Sequence, residues 1–333
     1  MRQFTRILGA STYAVTIILA TFMAGLGLGS WLLGKTADRL SSRALATTYI
    51  ILEVGIGGYT LLLPKLLDLA KFSYITFFRL SDPDALLFNG LRLLLAALLL
   101  IIPTTLIGGT LPILSRYVIR SRNTMAVSIS RLYAANTFGA IVGTVCAGYL
   151  LLPQLGIQAT TMVAVFANFG IAVVFGWISL GVNPALSSRT SNRVIPGREN
   201  TGKPSRTQKA VLVGFFLSGI AAMFYEVAWT RTLSMILGTT TFAFTTMLAT
   251  FLTGIALGSA VYGLIRKLLS GAKLFLALQA VVMISVLLTI PLFEKLPVLF
   301  IFLEDIWVDS WLDMQFIRFI MAAAVMLVPT LAM

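Results

Sequence analysis

The chain has 333 residues, 58% of them hydrophobic and 11% charged, with a mean hydropathy of +0.94. Soluble domains carry about 25% charged and about 45–50% apolar residues, so a water-soluble core is excluded and the chain reads as an all-α integral membrane protein whose first partner is the lipid bilayer. The net charge of +13 comes without basic–aromatic interleaving or zinc-ligand spacing, so nucleic-acid binding is not expected. With no histidine and the single cysteine Cys146, imidazole catalysis, a disulfide and a cysteine metal cluster are all removed. No catalytic residue, metal ligand or cofactor site is predicted for this chain.

A spanning helix needs about 20 mostly apolar residues. In chain order, nine spans are predicted: 12–34, 44–65, 88–108, 124–151, 155–181, 209–230, 241–264, 272–293 and 313–333. The first is too long for a signal-peptide core and has no small-residue cleavage site after Gly25–Ser30, so it is read as a retained helix. Leu66–Leu80 and Leu296–Leu312 mix aromatics with charge, which suits helices in the outer interface or packing at a mouth. Residues 182–208, with Pro184, Gly197, Gly202 and Pro204 among basic residues, read as a linker. Domain organisation follows: 1–181, 182–208 and 209–333.

Basic residues concentrate in alternate loops (Lys35, Arg39, Arg43, Arg116, Arg120, Arg122, the linker, Arg266, Lys267, Lys273), while Asp68, Asp82, Asp84, Glu294, Glu304, Asp305, Asp309 and Asp313 lie opposite. The positive-inside rule makes the first set, linker included, cytoplasmic, in a cell (plasma or inner) membrane.

The two halves are related. A shift of 229 superposes Ile7–Gly34 on Ile236–Gly263 with 15 of 28 positions identical. A shift of 226 brings Glu53 to Gln279, Arg92 to Arg318 and Pro103-Thr104 to Pro329-Thr330. Hydropathy alone does not align Arg, Pro and Gly together, so this is an internal repeat. Helix 209–230 has no counterpart before the first copy, and the second copy stops at the equivalent of Ile107. The expectation is a fragment of two parallel six-helix repeats, the first lacking its first helix and the second its last ones.

Gly34-Lys35-Thr36-Ala37-Asp38-Arg39-Leu40-Ser41-Ser42-Arg43 resembles the major facilitator loop motif G-x-x-x-D-R-x-G-x-R, with Gly34, Asp38, Arg39 and Arg43 in place and Ser41 where glycine is preferred. An Asp with flanking Arg at a helix end can clamp a neighbouring helix terminus; ordinary loop charge is the plainer account. Phe216-Leu217-Ser218-Gly219, Tyr225-Glu226-Val227-Ala228-Trp229-Thr230-Arg231, Gly254–Ser259, Gly109-Thr110-Leu111-Pro112 and Arg131–Ala140 together resemble the membrane portion of fused major-facilitator/spermidine-synthase-like proteins. That resemblance implies a major-facilitator-like bundle and, downstream, a cytoplasmic aminopropyltransferase-like domain of Rossmann type that binds decarboxylated S-adenosylmethionine and a polyamine. No Gly-x-Gly-x-x-Gly follows a strand here, and Gly25–Ser30 lies in a span, where glycines permit close helix packing. Transferase activity would belong to that other domain.

Ionisable residues inside the bilayer are functional hypotheses by default. Counting 1.5 Å per residue from the cytoplasmic side, Glu53 lies about 13 Å deep and Arg131 about 10 Å deep, which makes them a candidate pair, either a register-fixing clamp or part of a substrate or proton path. Gln279 occupies the place of Glu53 in the second half, and Asn136 is candidate interhelical glue. Glu226 stands with Tyr225, Trp229 and Arg231, a set that suits an organic cation through charge and cation–π attraction or an interfacial Glu–Arg pair in an aromatic belt. Three functions stay open: the membrane module of a spermidine-synthase-like fusion that passes or senses a polyamine or other small organic cation, a stand-alone secondary transporter, and an anchor for a cytoplasmic enzyme.

Overall fold

The computed structural model describes residues 12–81, 85–119, 122–181, 206–265 and 271–333. In chain order these form α1 (Thr12–Ala37), α2 (Ser42–Ser81), α3 (Ala85–Val118), α4 (Arg122–Val145), a π-helix (Cys146–Leu151), α5 (Leu152–Gly181), α6 (Arg206–Leu237), α7 (Thr241–Ile265), α8 (Gly271–Trp307) and α9 (Trp311–Ala332). No strand occurs among the described residues. Of the linker predicted over 182–208, only the last three residues are described, and they open α6.

Eight helices among the described residues are long and apolar enough to cross a membrane, the coarse result expected from hydropathy. The count differs from nine because the spans predicted over 124–151 and 155–181 merge into one apolar helical stretch, 128–181, of 54 residues. Such a helix would be about 80 Å long, more than twice a hydrocarbon core. It is broken at Gly156, where φ is 73° and ψ 179°; that backbone region is open essentially to glycine alone. Of the two aromatic and charged stretches, Leu66–Leu80 continues α2, while Leu296–Leu312 continues α8 to its end at Trp307 and runs into the start of α9. Leu67 and Tyr74 are buried with Ile18 and Ala96, and Leu296 is buried among Trp229, Leu233 and Ile317, so packing holds these extensions.

Among the described residues the chain divides into two compact units, one within 12–133 and 157–181, the other within 134–156 and 206–333. Residues 134–156 thus group with the second unit, where hydropathy alone would leave them with the first.

Within each unit one helix pair is built on the same contact. Gly25 of α1 lies against Thr104 of α3, where an added Cβ would collide with the threonine Oγ1, and Gly29 lies against the carbonyl of Thr105. In the second unit Gly254 of α7 meets Thr330 of α9 in the same way, and Gly258 meets the carbonyl of Leu331. The partners stand at the offsets of 229 and 226 that relate the two sequences. Both are small-xxx-small helix contacts: with no hydrophobic drive between helices in lipid, close backbone approach supplies the attraction. Each threonine hydroxyl turns back onto its own helix, Thr104 Oγ1 to Leu100 O at 2.7 Å and Thr330 Oγ1 to Met326 O at 2.6 Å, so neither is left unpaired beneath the glycine.

The threonines follow Pro103 and Pro329, which lack the N–H that would bond the carbonyl four residues earlier. In the first unit that carbonyl belongs to Leu99, and the Tyr59 hydroxyl of α2 donates to it at 2.7 Å. The position equivalent to Tyr59 is Ser285, which donates within its own helix to Val282 O at 2.9 Å. Tyr59→Phe is therefore expected to cost about 1–1.5 kcal/mol in reversible unfolding in mixed micelles, and Ser285→Ala less than about 0.5 kcal/mol. Equal losses at both positions would contradict this reading.

Candidate functional site

Two buried carboxylates stand out, one in each unit. Glu53 sits in the middle of α2 and is 6% exposed. Its neighbour one turn earlier, Tyr49, lies close enough to its carboxylate for electrostatic interaction, and the Tyr49 ring packs on Phe175 of α5 at 4.6 Å. Leu45, Leu52 and Ile113 are buried in the same cluster. The predicted Glu53–Arg131 pair is not formed. Arg131 is exposed on α4, and among the described residues the ion pair joins Arg116 to Asp38. Tyr49, four residues earlier, shares a helix face with Glu53. Asn136 is likewise exposed.

The second half substitutes both members of that pair. Phe275 stands where Tyr49 does and Gln279 where Glu53 does. Gln279 Nε2 donates to Ser218 Oγ of α6 at 2.7 Å, joining α8 to α6. Hydroxyl and charge are thus lost together, and the amide makes a hydrogen bond between helices instead.

Glu226 is different. It lies in α6, is 7% exposed, and its Oε2 is buried without a hydrogen-bond partner. Arg231, offered by the sequence as its interfacial partner, is exposed and makes no ion pair with it among the described residues; five residues apart, the two side chains do not share a helix face. One turn beyond Glu226, Trp229 is 2% exposed and is stacked with Tyr225 at 5.5 Å between ring centroids. Trp229 belongs to the largest apolar cluster of the unit, with Leu233, Met247, Leu296 and Met321, and Tyr225 packs against it. A carboxylate oxygen with no donor in such surroundings is costly unless a proton or a cation meets it.

The loop motif lies apart from these carboxylates. Asp38 Oδ1 is 3.8 Å from Arg116 Nε at the end of α3, so the acidic residue after α1 reaches a neighbouring helix terminus as its spacing suggests. Lys35 lies 3.5 Å over the Trp31 ring, while Arg39 and Arg43 are exposed. Gly34 is open, with only Pro112 Cβ near at 3.9 Å. With its Asp38 side chain 74% exposed, the pair is expected to add less than about 0.5 kcal/mol, so a double-mutant cycle of Asp38→Asn with Arg116→Gln should show near-additive stabilities.

Sequence reasoning missed a polar cluster at the head of α9. Tyr149 of the π-helix hydrogen-bonds Thr246 of α7, which itself donates to Phe242 O at 2.9 Å. Phe242, Trp311 and Tyr149 form a mutually packed aromatic trio with centroids 5.4–6.0 Å apart. Gly148 lets the π-helix close onto Thr245. Below the trio, Gln315 is buried and accepts from Arg318 Nη1 at 3.3 Å. The signal that points here is the recurrence of Arg92 as Arg318 between the two halves.

Among the described residues no group of three or more His, Cys, Asp or Glu could hold a metal ion. Comparison of the chain with protein-family models, with curated proteins and with solved structures finds no match.

Proposed function

We propose that this chain is a multi-pass membrane module of two parallel repeats in a major-facilitator-like arrangement, and that it binds and passes a small organic cation. The observation that carries the reading is Glu226, a buried carboxylate with an unpartnered oxygen beside stacked Tyr225 and Trp229. A negative charge and aromatic faces in one place select an ammonium or alkyl-ammonium group over a sugar or an anion. The duplicated Gly25–Thr104 and Gly254–Thr330 contacts and the Asp38–Arg116 pair support the two-repeat plan. The resemblance to spermidine-synthase-like fusions makes a polyamine the first cation to test and a cytoplasmic aminopropyltransferase-like domain the first partner to look for. In this reading the linker 182–208 faces the cytoplasm and the module sits in the cell membrane, oriented by its basic loops.

The test is uptake of radiolabelled spermidine by proteoliposomes holding the full chain, against empty liposomes and against a neutral sugar of similar size. Saturable uptake of spermidine alone supports the proposal. No uptake above empty liposomes overturns it in favour of the anchoring role.

A further inference from the structure

Arg318 is a guanidinium without an anion. Its Nη1 is taken by Gln315 Oε1, its Nε is buried with no hydrogen-bond partner, and no carboxylate lies within ion-pair distance of it among the described residues. The nearest acid along α9, Asp313, is committed to the helix cap, accepting from the Ser310 backbone N–H at 2.8 Å and from Ser310 Oγ at 2.7 Å. Trp311, Gln315 and Arg318 follow one another at i, i+4 and i+7 and so share a face of α9. Trp311 turns that face toward α7 and the π-helix, because it packs on Phe242 and Tyr149. Tyr149 is close enough to Arg318 for electrostatic interaction. Its hydroxyl is hydrogen-bonded to Thr246, whose Oγ1 also reaches Phe242 O, and a phenol supplies Arg318 no anion.

We infer that Arg318 is an oxyanion-binding residue and that its ligand is a phosphate group. With Nη1 held by Gln315, the edge formed by Nε and Nη2 remains, and that edge presents two parallel N–H groups that match two oxygens of one tetrahedral anion. Gln315 fixes the plane of the guanidinium, and the aromatic trio covers the site on the side of the helix start. Arg318 stands seven residues into α9, about 10 Å along its axis. A phospholipid headgroup drawn in from the interface and a soluble phosphate both present this chemistry. The site is independent of Glu226, which interacts with neither Arg318 nor its neighbours by ion pair or hydrogen bond among the described residues.

The experiment uses the full chain in maltoside micelles, labelled with 5-fluorotryptophan, with the Trp311 resonance identified by its loss in Trp311→Phe. Inorganic phosphate is titrated into wild type and into Arg318→Lys, which keeps the charge and loses the fork. Native mass spectrometry of the same samples counts retained phospholipids, and circular dichroism verifies that helicity is unchanged. A soluble phosphate ligand predicts a saturable shift of the Trp311 resonance, with affinity reduced about tenfold or more in Arg318→Lys. A headgroup ligand predicts no saturable shift with inorganic phosphate but one more phospholipid retained by wild type than by Arg318→Lys. No saturable shift together with equal phospholipid counts overturns the inference.

Discussion

Leucine at Gly254 is expected to drive α7 and α9 apart and to cost about 3 kcal/mol, the upper end of overpacking penalties. The same substitution at Gly25 should do the same to α1 and α3. At both positions the obstacle is not the end of a flexible side chain. A Cβ would meet a threonine Oγ1, and the backbone carbon of that threonine lies 3.2 Å away beneath Gly25 and 3.4 Å away beneath Gly254. The threonine cannot rotate aside without breaking its bond to the carbonyl one turn earlier. Gly27 is the control, because nothing lies within 4 Å of a Cβ built there; Gly27→Leu should change stability by less than about 0.5 kcal/mol. Unfolding in mixed micelles, followed by circular dichroism, measures all three. Similar losses at Gly25, Gly27 and Gly254 would mean that the glycines matter through backbone flexibility rather than through the duplicated contact.

The second large effect concerns Glu226, and its sign is the informative part. A buried carboxylate oxygen with no partner is a cost to folding, so Glu226→Leu is expected to raise stability by about 1–3 kcal/mol while removing cation binding. Had Glu226 been paired with Arg231 at an interface, the same change would lower stability or leave it untouched. Glu53 supplies the contrast. Neither of its oxygens is buried without a partner and Tyr49 lies beside its carboxylate, so Glu53→Leu should lower stability by about 1 kcal/mol. Opposite signs at the two carboxylates, measured in the same micelles, distinguish a functional charge from a structural one.

How much of this was legible in the sequence depends on the kind of signal. The apolar helices were, because a run of about 20 apolar residues has few other uses, and the glycine positions of the repeat pointed correctly to close helix contact. The helix faces were not. When a helix is apolar all round, periodicity cannot say which side meets protein, and so Arg131, placed by depth alone beside Glu53, and Asn136, read as interhelical glue, turn out exposed. The break between the spans read at 124–151 and 155–181 was legible to within a few residues: the structure puts it at Gly156, where the backbone leaves the helix with positive φ. The π-helix, which projects Tyr149 toward Thr246, has no composition of its own. The Arg318 cluster was half visible, as a recurring arginine without its buried amide partner.

The most direct test of the central claim is equilibrium binding of radiolabelled spermidine to the full chain in micelles, comparing wild type with Glu226→Gln, which keeps the shape of the side chain and removes its charge. The account predicts saturable binding to wild type and an affinity lower by about 30-fold or more in Glu226→Gln, with unchanged helicity. Equal binding to the two proteins, or no saturable binding to wild type, would contradict it.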